Sequence, residues 1–243
     1  MTFRLFIAYC LLTLLTACAT MAPSTATTPE GLLAEGDTLI KSGHFDDAVT
    51  RWKKVKEGDY SPEMIIQAEI RIADAQFDQK NYIEAAASYE NFRKLHPNHE
   101  KSGYALYRLA LCNFNQINGY DTEQTPVKNT VTLLESFLRQ YPTSPYAEDA
   151  GRKLKECREL QLRYELYVAR FYSRTGKYAA AIRRLEAALE QFPKQPLLDE
   201  VLFRLGEACL KNGDTAKSAQ ALGRLYTEYP ASPFVAEGKK LVK

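Results

Sequence analysis

Beyond residue 28 apolar side chains recur at helical spacing almost to the end of the chain, and the pattern repeats. Small residues that would let two helices of a hairpin pack closely stand at Gly36, Ala73, Ala110, Ala169 and Gly206, at steps of 37, 37, 59 and 37. A helix–turn–helix unit of this size predicts a stack of hairpins, each burying its apolar face on its neighbours. The 59-residue step holds one longer helix: from Tyr146 to Arg174 no proline interrupts, and Gly151 is the only interior glycine. About 29 residues of helix would be roughly 43 Å long and would join three hairpins to two. Ser144-Pro145 reads as its cap and first turn. "YPTSPYAE" at 141 recurs as "YPASPFVAE" at 229, so a last capping helix is expected from about Pro233.

The residues around these positions resemble the tetratricopeptide repeat. Twelve places after the small residue come Ala48, Ala85, Ala181 and Ser218, and four further on Trp52, Tyr89, Leu185 and Leu222. Gly43, Asn81, Gly176 and Gly213 mark the turns. Pro97, Pro142, Pro193 and Pro230 close four units, with Pro62 two places late in the first. Small residues bring the helices together, large apolar ones fill the space between, and proline stops the second helix. The expected fold is an all-α tetratricopeptide-repeat superhelical solenoid of about five hairpins with a C-terminal capping helix. The third unit is eight residues too long around "NQINGYDT". That excess reads as a loop between the hairpin's helices, with Thr125 as N-cap and Pro126 at N1 restarting the chain.

The N-terminus has a different pattern. Arg4 precedes an apolar run, Leu5 to Leu15, broken only by Thr13. Eleven residues are too few for a bilayer core, which needs about 20 in a helix. A short positive start, a short apolar run and small residues after it make a secretory signal. An ordinary buried helix here would be isolated by the polar stretch that follows. Leu15-Thr16-Ala17-Cys18 resembles the lipobox of bacterial lipoproteins, which implies removal of residues 1–17 and acylation of Cys18. Several acyl chains anchor firmly where one does not. Ala19 rather than Asp follows the cysteine, which by the same resemblance implies the periplasmic face of an outer membrane. Residues 18–28, rich in Ala, Ser and Thr, read as a flexible tether. Residues 29–143 are then hairpins one to three. Residues 144–243 are the joining helix, hairpins four and five and the cap.

Charge and chemistry narrow the function by exclusion. The 32 basic residues less Arg4 leave 31 against 30 acidic ones, so bulk charge does not favour nucleic acid. Cys10 leaves with the signal and Cys18 is lipidated. Cys112, Cys157 and Cys209 are far apart within helical patterns and are expected as buried apolar residues rather than in a disulfide. No phosphate loop or Gly-x-Ser-x-Gly elbow is visible. Gly176-Lys177 lies in a repeat turn. His96 and His99 beside Glu100 follow a helix end, and a metal site needs a preorganised set of ligands. Carboxylates such as Asp46-Asp47 and Glu35/Asp37 read as solvated. No catalytic residue, metal or cofactor is expected other than the lipid on Cys18.

In a tetratricopeptide stack the first helix of each hairpin lines the concave face, through positions 2, 5, 9 and 12 counted with the packing residue as 8. In hairpin two these are Gln67, Ile70, Asp74 and Phe77. In hairpin three they are Tyr104, Tyr107, Leu111 and Phe114, and in hairpin four Arg163, Leu166, Arg170 and Ser173. The third set is costly to expose unless something covers it. Ile70, Asp74, Phe77, Tyr104, Tyr107, Leu111 and Phe114 are therefore expected to form a peptide groove. The alternative is that they pack on the 118–125 loop or on a neighbouring helix. Arg183 and Arg184 begin a basic stretch on the second helix of hairpin four, on the convex side.

Lipobox, five repeats, the third-repeat insertion and the joining helix together resemble the BamD family of lipoproteins in the barrel-assembly machinery. The match is best at "YELYVARFYSRTGKYAAAIRRLEAALEQFP" (164–193) and good at "TPVKNTVTLLESFLRQYPTSPYAEDA" (125–150). The resemblance implies a scaffold and not an enzyme. It implies docking to the POTRA domains of the barrel-forming subunit, with Arg184 in "AAIRRLEAAL" as a contact. It also implies capture of C-terminal targeting segments of unfolded outer-membrane proteins by the first three hairpins, with other assembly lipoproteins as further candidate partners. The competing expectation is another periplasmic repeat lipoprotein that coordinates cell division or peptidoglycan synthesis.

Overall fold

The computed structural model describes residues 28–241. Cys18, the signal and nearly all of the tether lie outside the described residues. Eleven α-helices make up the described chain: α1 Pro29–Lys41, α2 Phe45–Lys56, α3 Pro62–Asp78, α4 Tyr82–Leu95, α5 Ser102–Phe114, α6 Thr125–Gln140, α7 Ala147–Arg174, α8 Tyr178–Gln191, α9 Leu198–Lys211, α10 Thr215–Glu228 and α11 Phe234–Leu241. This is an all-α tetratricopeptide-repeat solenoid. No helix among the described residues is long and apolar enough to cross a membrane.

The chain divides into two compact units, at 75/76. The start of α7 packs on hairpin three: Ala150, Tyr146 and Leu154 join Leu106, Leu134 and Phe137 in one apolar cluster.

In the first unit, α1 starts where Thr28 Oγ1 accepts from the Gly31 N–H at 3.2 Å, with Pro29 in the first turn, where a missing N–H costs nothing. Gly36 then meets Trp52. A Cβ on Gly36 would lie 2.2 Å from the indole nitrogen, so only glycine fits. The indole N–H in turn donates to the Leu33 carbonyl at 3.2 Å. Leu32, Leu33, Ala48, Val55, Ala68 and Ile72 complete this core. Each large apolar side chain so buried contributes about 1.5–3 kcal/mol. Pro62 is the first residue of α3 and so opens a helix instead of closing hairpin one. Its fixed φ suits a first turn.

The second unit repeats the device. A Cβ on Gly206 would come within 2.7 Å of Leu222, and Ser218 Oγ donates to the Gly206 carbonyl at 2.8 Å. The turns after α7 and α9 use Gly176 and Gly213 at positive φ; the turn after α3 places Lys80 there, at a cost of about 1 kcal/mol. Helix α7 is 28 residues long, about 42 Å, and starts one residue later than expected. Ser144 Oγ accepts from the Tyr146 N–H at its start. The insertion forms the 115–124 connection, but its end differs from expectation. Thr125 is already helical and Gln124 is the cap residue. The Thr125 N–H donates to the Glu123 carboxylate at 2.7 Å, while the buried Gln124 amide donates back to the carbonyls of Tyr120 and Thr122. A nearby carboxylate thus does the work assigned to the threonine. Helix α11 closes the unit, with Phe234 stacked on Phe203 at 5.3 Å and Ser232 Oγ donating to Asp199 at 2.6 Å.

Candidate functional site

Three surfaces of the second unit carry the residues singled out by the sequence, and each is built by a helix presenting every third or fourth side chain. On the first, α5 presents Tyr104, Tyr107, Leu111 and Phe114. Tyr107 is 8% exposed and does not face an open groove. Its ring stacks on Tyr146 at 4.7 Å, and its hydroxyl donates to Asp149 of α7 at 2.5 Å. Burial, and then that bond, push the Tyr107 hydroxyl pKa well above its ordinary value. Burial also opposes ionisation of Asp149, but the bond from Tyr107 and the charges of Lys153 and Arg152 outweigh it and hold the carboxyl below its ordinary range. In the first unit Ile70 is 2% exposed, so it too lines no open groove.

The physical reason is common to one register. Position 5 of the first helix lies at the seam with the following helix. Leu166 sits in the core with Leu198 and Val201, and Phe203 lies under Phe234, just as Tyr107 lies under Tyr146. Burying an aromatic ring there gains more than presenting it to solvent. The alternative that these rings pack on a neighbouring helix therefore holds for Tyr107.

Tyr104, Leu111 and Phe114 are half-buried, as are Phe77 in the second unit and Asp74 in the first. Tyr104 contacts Tyr89 and Tyr146, and Lys153 lies 4.2 Å from the Phe114 ring centre. Arg108, which the sequence reading missed, organises this face. Its guanidinium lies 3.7 Å from the Phe77 ring centre and within 6 Å of Tyr89 and Tyr104. Its Nε donates to the Tyr89 hydroxyl at 2.9 Å and its Nη2 reaches Asp78 at 3.4 Å. A cation over aromatic faces is stabilised by their quadrupoles. The signal available in the sequence was its place one residue after Tyr107, on the side of α5 that faces α4.

The second surface holds Arg184 on α8. Its Nη1 donates to both carboxylate oxygens of Glu165 on α7, at 3.0 and 2.8 Å. The hydrogen bonds that Arg184 donates to Glu165 raise its pKa further and fix its direction. Nε and Nη2 are left to meet another acceptor. Arg183 beside it is exposed. These two, with Tyr172, Ala187 and Gln191, line a shallow cleft between α7 and α8. The third surface, between α7 and α9, is rich in cations.

His96 and His99 both pack on Phe92, with ring centres 5.1 and 5.7 Å away. Among the described residues no group of three or more His, Cys, Asp or Glu side chains is placed to hold a metal ion. Cys112, Cys157 and Cys209 are buried free thiols, and burial pushes Cys112 and Cys157 up to about 12.

Fold and surfaces together define a tetratricopeptide-repeat protein that carries an aromatic face around Arg108 and two cation-bearing clefts beside α7. Its residues 25–225 match the family YfiO, described as outer membrane lipoprotein, and the chain belongs to that family. It is 25% identical over 213 residues to the outer membrane protein assembly factor BamD of Caulobacter vibrioides, covering 88% of this chain and 70% of that protein. The protein of the same name from Xylella fastidiosa is 28% identical over 225 residues, covering 88% and 76%. That from Neisseria meningitidis serogroup A is 26% identical over 216 residues, covering 85% and 81%. Among solved structures, a crystal structure of MamA protein aligns with 84% of this chain and 96% of that one at 18% identity, with a TM-score of 0.42.

Proposed function

We propose that this protein is a lipid-anchored assembly factor for outer-membrane proteins, held through Cys18 on the periplasmic face of the outer membrane and acting as a scaffold without chemistry of its own. The observation that most supports this is family membership over residues 25–225, together with relatives that carry the assembly-factor name along most of both chains. Two surfaces divide the work. The Arg184 cleft docks a POTRA domain of the barrel-forming subunit. Its guanidinium is pre-oriented by Glu165 and has donors to spare for a carboxylate on the partner. The half-buried Phe77, Tyr104, Leu111 and Phe114, around Arg108, receive an apolar, aromatic-ended segment of an unfolded barrel protein.

The test is capture of partners by the full-length lipidated protein from solubilised envelopes, followed by binding of isolated POTRA domains and of peptides copying barrel C-termini. Both should bind, at sites that do not compete. Capture of septal proteins or peptidoglycan in their place would overturn the reading in favour of a cell-division or cell-wall coordinator.

A further inference from the structure

The third surface has no role in this reading. On α7, Tyr167, Arg170, Phe171 and Arg174 fall at i, i+3, i+4 and i+7, within one sector of the helix about 100° wide. All four are exposed; Tyr167 is 42% and Phe171 49% accessible, which is unusual for rings otherwise free to pack. Tyr120 from the 115–124 connection meets Tyr167 edge-on at 6.2 Å and extends the apolar end. At the other end Arg170 and Arg174 share a cleft with Arg204, Glu207 and Lys211 of α9.

The charges in that cleft do not balance. Glu200 is bonded by Arg170 and by Arg204 at 3.4 Å; Glu207 is bonded by Arg204 at 3.2 Å and Lys211 at 2.9 Å. Three cations thus share two carboxylates, and the fourth, Arg174, has no ion pair among the described residues. Those pairs have a second effect. Burial would raise the Glu207 pKa, but the hydrogen bonds and charges of Lys211 and Arg204 outweigh it and hold the carboxyl below its ordinary range. A guanidinium has five N–H donors, and the contacts made here use one of Arg170 and two of Arg204. Several donors aim at one open cleft from two rigid helices.

We propose that this face is a second peptide seat, for an extended acidic segment of a partner protein. Its carboxylates lie along Arg170, Arg174, Arg204 and Lys211, and one apolar or aromatic side chain covers Tyr167 and Phe171. Charge complementarity selects the acidic partner, because net positive charge in a cleft between helices attracts and orients carboxylates. Length selects an extended chain. From residue 167 to residue 174 the helix rises about 10 Å, the span of about three extended residues. The seat is separate from Arg184, which lies in the α7–α8 cleft.

The experiment uses the full-length protein in detergent and a fluorescent peptide of about ten residues with four Glu and one central Phe. Anisotropy should show saturable binding that weakens at least tenfold between 50 and 300 mM salt. Arg174→Glu should weaken it at least tenfold and Phe171→Ser about threefold. Arg184→Glu should leave it unchanged, which also separates failure of this seat from failure of the docking reading. Arg174 has no ion pair to lose, so its variant should keep the far-ultraviolet circular dichroism and melting temperature of the parent. Equal binding of the same peptide with Gln for Glu would overturn the proposal. So would unchanged affinity in Arg174→Glu, or a requirement of Arg174 for binding phosphatidylglycerol vesicles but not the peptide.

Discussion

The hydroxyl of Tyr107 donates to Asp149 at 2.5 Å, 42 residues further along the chain, and locks hairpin three onto the long helix. The pair works at both ends of the pH scale. Asp149 has a depressed folded-state pKa, so its contribution is present above the unfolded value near 3.9 and is lost as pH falls through the lower folded value. Tyr107 has a raised one, so its contribution is complete below pH 10 or so and declines as pH rises beyond it. Tyr107→Phe should cost about 1 kcal/mol at neutral pH. It should also flatten the loss of stability above pH 10. Urea titrations at pH 7 and pH 10.5 check both, and an unchanged alkaline slope would contradict the assignment.

Two glycines should respond with opposite signs. Gly36→Ala places a Cβ 2.2 Å from a Trp52 ring that its own hydrogen bond holds still. Overpacking of that kind costs about 1–3 kcal/mol. Gly223, inside α10, has nothing within 4 Å of where a Cβ would go. Gly223→Ala should stabilise by about 0.5–1 kcal/mol through helix propensity. Thermal melts of the two variants decide this, and a drop in both would refute the distinction.

The two docking surfaces proposed above should separate by mutation. Arg184→Glu faces Glu165 with a like charge and removes the outward donors, and should reduce POTRA-domain affinity at least tenfold. The lost Arg184–Glu165 pair is partly exposed, so folding stability should fall by no more than about 1 kcal/mol. Tyr104→Ala with Phe114→Ala should instead weaken peptides copying barrel C-termini. Tyr107 is unsuitable for that test because it is a core residue. Equal losses of both ligands in both variants would count against separate surfaces.

Thiol chemistry tests the N-terminus and the core together. The raised pKa and burial of Cys112, Cys157 and Cys209 predict negligible reaction with a thiol reagent at pH 8 in the native mature protein. In denaturant all of these should react, while an acylated Cys18 should not. One additional reactive thiol in the mature protein would argue against lipidation.

The repeat was legible because its spacing is a packing rule. Gly36 with Ala48 and Trp52, and Gly206 with Ser218 and Leu222, must stand at those intervals if two helices are to touch and a large residue is to fill what remains. Proline and glycine punctuation placed the turns, and the long helix was placed to within one residue. Errors fell where several residues could do one job. Glu123 supplies the acceptor assigned to Thr125, and Pro62, equally compatible with an end or a start, marks a start.

Residue order alone settled the helices, their pairing into hairpins and the family, because each rests on local periodicity or on runs of neighbouring residues. Tertiary structure decided which side of each helix stays open. It put Tyr107 under Tyr146, set Arg108 against Phe77, paired Arg184 with Glu165 across 19 residues, and placed the cations of α7 opposite those of α9. A helical period says which side chains share a face; only the neighbouring helix decides whether that face is covered, and by what charge.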